Sequence, residues 1–134
     1  NKVIKHLVSK TRFHNTKAKR ILEARKKHYG NIKNNLNKFD DQLKFRDWLV
    51  ENVNGIGMKE SGHFMRNIGL YEEVTILDRH ILKNLIKYNV IDEIPKTLTR
   101  KNYLEIEEKM KKFSSERGTA DIFSKLKVNF AFCI

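Results

Sequence analysis

The sequence is poor in the residues that build disulfides and metal sites. Its one cysteine, Cys133, cannot form an internal disulfide, and it excludes a four-cysteine iron–sulfur loop or a cysteine-based zinc site. The five histidines include no His-x-x-x-His pair of the kind that holds a metal on a helix. A lone thiol fits a reducing, intracellular setting in the cytoplasm or nucleoid.

Long apolar runs are also missing. No stretch approaches the roughly 20 residues that a membrane-spanning helix needs, and the first residues lack the pattern of a signal peptide. We therefore expect no membrane partner.

Residues that interrupt helices are scarce, since the 134 residues include one proline and six glycines. Apolar residues recur at helical spacing, as in Phe45, Trp48 and Leu49, and no two-residue alternation competes with this pattern. Pro95 falls in a loop between two such segments. The sequence predicts an all-α fold of about six helices, forming a single domain over residues 1–134.

Polar residues and glycines mark where these helices should begin and end. The candidate N-caps are Thr16, Asp40, Asp78 and Thr99. The candidate stop positions are Gly30, Gly69 and Gly118.

Positive charge is in large excess. The 28 lysines and arginines against 16 acidic residues give a formal net charge of +12. Such an excess favours a polyanionic partner, with nucleic acid the first candidate. The histidines are interpreted as surface, core-edge or DNA-facing groups, among them His80.

The stretch "VNGIGMKE" predicts a sharp reversal between two helices, over residues 43–53 and 59–68. Gly55 and Gly57 allow the reversal because glycine tolerates positive φ and lets backbone approach a ligand. The free N–H groups that begin the second helix can bind a phosphate oxygen. This is the helix-hairpin-helix pattern, here at residues 43–69, although a simple tight turn gives a similar sequence.

Two residues near this turn carry possible chemistry. Lys59 stands in the first turn of the second helix, where its amine can neutralise a phosphate or, when neutral, act as a nucleophile. Asp78 follows an apolar pair at the head of the next helix. It can cap that helix, and it can also assist proton transfer or stabilise positive charge on a sugar.

The motifs "GIGMKESGHFMRN" and "ILDRHIL" resemble the signature of the helix-hairpin-helix DNA glycosylases with a Gly/Pro-rich loop and catalytic aspartate. The resemblance is greatest to the archaeal-type 8-oxoguanine DNA glycosylases and covers roughly residues 10–108. It implies that Lys59 is the nucleophile and that Asp78 activates it. It further implies a bifunctional glycosylase and apurinic/apyrimidinic lyase that acts on double-stranded DNA with a damaged base, as a monomer and without a metal or cofactor.

DNA-phosphate contacts are expected at the hairpin and in the basic segment "KTRFHNTKAKR". The candidate residues are Gly55, Gly57, Arg12, His14, Lys17, Arg20 and His80. Family members carry further helices before the position of Asn1, so the fold is expected to be incomplete at the N-terminus. The last residues also depart from the family pattern. The catalytic roles of Lys59 and Asp78 are therefore better supported than the preference for 8-oxoguanine.

Two alternatives stay open at this point. A related glycosylase with another damaged-base preference would share the chemistry, although branches with a four-cysteine cluster are excluded by the single thiol. A non-catalytic helix-hairpin-helix module would use Gly55 to Lys59 only to bind phosphate and Asp78 only as a cap.

Overall fold

The computed structural model describes residues 2–8, 10–36, 38–70 and 72–117. Every regular element in these ranges is an α-helix, which confirms the all-α prediction. The helices are α1 (Lys2–Leu7), α2 (His14–His28), α3 (Ile32–Leu36), α4 (Gln42–Asn52), α5 (Met58–Asn67), α6 (Arg79–Lys87) and α7 (Arg100–Arg117). The seven found in the described ranges exceed the six expected because α1 and α3 are too short to give a clear periodic pattern.

The chain forms two compact units, which span Asn1–Gly57 and Met58–Ile134. The first contains α1 to α4, and the second contains α5 to α7. The single domain expected over residues 1–134 stays a prediction.

Among the described residues, no helix has both the length and the apolar character needed to cross a membrane.

The first unit has an aromatic core on α4. Phe45 is 2% exposed, and its ring stacks on that of Trp48 with centroids 6.2 Å apart. Phe39 packs against both rings, and the imidazole of His28 meets Trp48 edge-on at 5.5 Å. These contacts tie the end of α2 to α4, since His28 is the last residue of α2.

The second unit buries apolar side chains from all three of its helices and from the segment that precedes α6. The buried residues are Met58, Met65, Val74, Leu77, Leu82, Leu85, Ile91, Tyr103, Ile106 and Met110. The residues before Asp78 therefore contribute to the core of this unit, so packing restrains the backbone that carries Asp78.

The ends of the helices agree only in part with the sequence prediction. Asp78 caps α6, and Thr99 Oγ1 accepts a hydrogen bond from Asn102 N at 3.2 Å, so both predicted caps are confirmed. The prediction of Thr16 was wrong because α2 begins at His14, after Phe13 in a left-handed conformation at φ 56°. Gly30 and Gly69 follow helix ends at φ +80° and +86°, whereas Gly118 lies outside the described residues.

The N-cap of α4 is Asp41, not the predicted Asp40. Its Oδ1 accepts hydrogen bonds from Leu43 N at 2.8 Å and Lys44 N at 3.0 Å. A capping side chain must immediately precede the first helical residue to reach these donors. Because α4 starts at Gln42, only the second of the two adjacent aspartates satisfies this requirement.

The two helices of the predicted hairpin each begin and end one residue earlier than expected. They span Gln42–Asn52 and Met58–Asn67, against predictions of 43–53 and 59–68. Lys59 is therefore the second residue of α5, still within its first turn.

Replacing Asp41 tests the assignment of the cap. We expect Asp41→Ala to lower the free energy of unfolding by about 0.5–2 kcal/mol, because two backbone N–H groups lose their acceptor. Asp40→Ala is the matched control and should change the free energy of unfolding by less than about 0.5 kcal/mol. Urea unfolding followed by circular dichroism measures both, and an equal loss in the two variants would contradict the assignment.

Candidate active site

The turn after α4 depends on Gly55, which has a φ of +90°. Ile56 N donates to Val53 O at 3.1 Å, which closes the turn. A Cβ atom at Gly55 would lie 2.8 Å from the Nε atom of Arg20, so a larger residue would displace the guanidinium. Two of the predicted phosphate-binding positions, Gly55 and Arg20, thus lie side by side in the first unit. Gly57 ends the turn and is followed directly by α5.

The start of α5 is anchored by buried residues while Lys59 reaches solvent. Met58 is 8% exposed, and the buried Ser61 hydroxyl donates to Met58 O at 2.8 Å. The Lys59 side chain is 44% exposed, and its Nζ lies 3.4 Å from Glu60 Oε1. The helix backbone below the amine is therefore fixed, whereas the amine itself is accessible to a large ligand such as DNA.

Gly62 brings α5 into close contact with the segment that leads to Asp78. A Cβ atom at this position would lie 2.9 Å from Thr75 O and 3.2 Å from Ile76 Cγ1. No side chain larger than hydrogen fits without moving one of the two elements. Lys59 lies three residues before Gly62, and Asp78 lies three residues after Thr75. The contact between Gly62 and Thr75 therefore connects the two predicted catalytic residues through the backbone.

Asp78 is held at the start of α6 by hydrogen bonds. Its Oδ1 accepts from Ile81 N at 2.8 Å, and its own N–H donates to Ile76 O at 3.0 Å. Capping occupies one carboxylate oxygen. The second oxygen, Oδ2, receives no hydrogen bond from any residue that the structure describes, and it stays available to a ligand.

His63 belongs to the same site, although the sequence interpretation assigned it no specific role. Burial lowers the pKa of its imidazole, and the positive charges of Arg66 and Lys59 lower it further, while Glu60 and Asp78 oppose the shift. Lys59 and Asp78 therefore both act electrostatically on one imidazole. The four-residue spacing from Lys59, which puts both side chains on one face of α5, is the signal that could have identified His63.

The remaining predicted phosphate contacts lie in both units. Arg12, Lys17 and Arg20 are exposed at or near the start of α2, and His14 is half-buried there. Phe13 is 72% exposed beside them, with the guanidinium of Arg12 at 5.4 Å from its ring centroid. His80 is exposed in the first turn of α6, in the second unit.

No cluster of three metal-binding side chains occurs in the described part of the chain.

The pKa shift of His63 predicts a pH dependence of stability. In the unfolded chain this imidazole titrates near 6.5, and in the folded chain it titrates lower, so the unfolded chain binds more protons as pH falls below about 6.5. The neutral imidazole of His63 therefore contributes fully to the free energy of unfolding above about pH 6.5. That contribution is lost as the pH falls. We expect His63→Gln to lose less thermal stability than the parent chain between about pH 7.5 and 5.5.

The exposed Asn34, which does not titrate, provides the control for that experiment. Asn34→Gln should keep the pH dependence of the parent chain in the same thermal unfolding measurement. Identical pH dependence in all three proteins would contradict the shift at His63.

Comparisons with known proteins agree with the fold and the motifs. A family model described as 8-oxoguanine DNA glycosylase matches residues 1–119. The 8-oxoguanine DNA glycosylase/AP lyase of Fusobacterium nucleatum is 50% identical over 106 residues, covering 76% of this chain and 49% of that protein. The enzyme of the same name from Methanocaldococcus jannaschii is 47% identical over 105 residues, covering 78% and 49%. The chain spans about half the length of these relatives.

Solved structures give the same result. The Methanocaldococcus jannaschii 8-oxoguanine glycosylase/lyase in complex with 15mer DNA containing 8-oxoguanine matches with a TM-score of 0.77 and 41% identity, covering 87% of this chain and 56% of that one. The 8-oxoguanine DNA glycosylase of Thermotoga maritima matches with a TM-score of 0.72 and 35% identity, covering 87% and 55%. By its family match, its relatives and its fold, the chain belongs to the helix-hairpin-helix 8-oxoguanine DNA glycosylases of the archaeal type.

Proposed function

We propose that the chain takes part in base-excision repair as a bifunctional 8-oxoguanine DNA glycosylase and AP lyase, with Lys59 and Asp78 as its catalytic residues. The observation that carries the proposal is the close packing of Gly62 on Thr75, which joins the helix that carries Lys59 to the segment that leads to Asp78. A nucleophile and a carboxylate on two elements packed together, in a chain of this family, suit chemistry at the sugar of a damaged nucleotide.

In the first step the neutral amine of Lys59 attacks C1′ of the damaged nucleotide. The glycosidic bond breaks, its electron pair leaves with the oxidised guanine, and the base takes up a proton. Loss of a proton from nitrogen and opening of the sugar ring then give a Schiff base. Removal of a proton from C2′ expels the 3′ phosphate by β-elimination, and hydrolysis of the imine releases Lys59.

Asp78 has two parts in this scheme. Its carboxylate can accept the proton that Lys59 must lose before attack, and it can stabilise positive charge that develops on the sugar. A carboxylate fixed by a helix cap suits both tasks because it need not reorganise during the reaction. The Oδ1 bond to Ile81 N supplies that fixation and leaves Oδ2 for the substrate.

Binding of the duplex is proposed to rest on phosphate contacts. The base must leave the helix for C1′ to become accessible, at a cost of a few kcal/mol that phosphate contacts can offset. Gly55 and Gly57 supply close backbone approach, and Arg12, His14, Lys17, Arg20 and His80 supply side chains. A monomer acting on intracellular DNA, in the cytoplasm or nucleoid, is the simplest form of this proposal.

Borohydride trapping tests the nucleophile. With duplex DNA that contains an abasic site or 8-oxoguanine, reduction of the Schiff base should give a covalent protein–DNA adduct visible on a denaturing gel. We expect Lys59→Gln to abolish the adduct because it removes the attacking amine, and Asp78→Asn to slow its formation because it removes the proton acceptor.

Lys101→Gln is the matched control, since this lysine lies on α7 with its side chain 83% exposed. It should trap DNA as the parent chain does. Equal trapping by Lys59→Gln and the parent would overturn the role of Lys59, and no trapping with retained DNA binding would favour a non-catalytic module.

The salt dependence of binding tests the phosphate contacts. Affinity for duplex DNA should fall steeply between about 50 and 200 mM salt, because each neutralised phosphate releases a counterion. We expect Arg20→Gln to reduce the slope of log affinity against log salt by about 1. Fluorescence anisotropy measures both quantities, and Lys101→Gln again serves as control. An affinity that does not change with salt would rule out phosphate contacts as the main source of binding.

A further inference from the structure

Helix α7 carries two buried polar side chains one turn apart, Tyr103 and Glu107. They are 1% and 3% exposed. Burial of a carboxyl group and a phenol is costly unless both form hydrogen bonds, so their partners indicate what the two side chains do. Neither residue was among the candidates that the sequence suggested.

Both side chains bond to Thr75, three residues before Asp78. Glu107 Oε1 accepts hydrogen bonds from Thr75 N at 2.9 Å and from Thr75 Oγ1 at 2.8 Å. The Tyr103 hydroxyl donates to Thr75 O at 2.7 Å and accepts from Leu77 N at 3.1 Å. Side chains of α7 thus satisfy backbone N–H and C=O groups of a segment that belongs to no helix. We call these four bonds the Thr75 clamp.

The clamped residue also touches the helix that carries Lys59. Thr75 O is the atom that a Cβ at Gly62 would meet at 2.9 Å, so α5 rests directly on the clamped peptide. On the other side, Asp78 N donates to Ile76 O, which couples the aspartate to the residue after Thr75. A shift of Thr75 would therefore disturb the placement of Lys59 and of Asp78 together.

We propose that Tyr103 and Glu107 are positioning residues for catalysis, which fix Asp78 relative to Lys59 by clamping Thr75 against Gly62. The proposal rests on the proposed function, in which Lys59 attacks C1′ and Asp78 assists. Neither Tyr103 nor Glu107 is required to touch DNA. Their loss should therefore reduce the rate of the chemical step and leave DNA affinity unchanged.

The test compares the rate constant of borohydride trapping, at saturating abasic DNA, with the dissociation constant of the same complex. Tyr103→Phe keeps the buried ring and removes both hydroxyl bonds. We expect its trapping rate to fall about ten- to 100-fold, since displacement of reacting groups by an ångström can cost that much. Its dissociation constant should stay within about twofold of the parent value.

Two conservative pairs separate positioning from simple loss of stability. Glu107→Gln keeps an oxygen acceptor for Thr75 and should trap near the parent rate, whereas Glu107→Ala should be slow. Thr75→Ser keeps the hydroxyl donor and should also trap near the parent rate, whereas Thr75→Val should be slow. The second pair carries the test if Tyr103→Phe or Glu107→Ala fails to fold.

Ile106→Val is the control for stability, because this buried residue lies on α7 between the clamp residues and loses only a methylene. It should trap at the parent rate. The clamp proposal is overturned if folded Tyr103→Phe and Thr75→Val trap as fast as the parent, or if Ile106→Val is equally slow. Absence of trapping by the parent chain would instead overturn the proposed function.

Discussion

The hydrogen bonds from α7 to Thr75 are the constraint on which the candidate site depends. The segment before α6 lies in the core of the second unit, where an unpaired backbone group costs about 1–3 kcal/mol. No β-strand occurs in the described residues to satisfy it. Tyr103 and Glu107 take that role from a helix, and Gly62 lets α5 pack on the same peptide. The positions of both proposed catalytic residues follow from this arrangement.

The site uses the starts of two helices for different purposes. At α6, Asp78 accepts a backbone N–H and is thereby held in one orientation, with one carboxylate oxygen left for a ligand. At α5, buried Met58 and Ser61 fix the first turn, while Lys59 extends from it into solvent. A rigid carboxylate and a longer, accessible amine suit the proposed reaction, in which the amine must follow the sugar from attack to elimination while the carboxylate stays in place.

The sequence predicted the local features of this site and missed the non-local ones. Asp78 as a cap and the reversal at Gly55 follow from nearest neighbours along the chain, so pattern and residue type were sufficient. The choice between Asp40 and Asp41 needed the exact first residue of α4, which periodicity locates only to within a residue or two. Thr16 failed as a cap because Phe13 takes a left-handed conformation that residue preference would not suggest for an aromatic side chain.

The Thr75 clamp and the role of Gly62 could not be predicted because each joins segments far apart in sequence. A buried glutamate on α7 looks like any other acidic residue of a charged helix until its partner is known. His63 lies between these cases, since its spacing from Lys59 was visible while its burial was not. Among the predicted phosphate-contact residues, Arg20 lies against Gly55 and Arg12 lies over the ring of Phe13. The contacts of all these residues with DNA remain predictions drawn from charge.

Locating the covalent bond between the protein and DNA would decide whether Lys59 is the nucleophile. After borohydride reduction on abasic DNA, digestion with protease and nuclease and tandem mass spectrometry would identify the modified residue. We expect the sugar remnant on Lys59 Nζ, within the peptide that begins α5. A remnant on another lysine or on the terminal amine, with Lys59 unmodified, would contradict it.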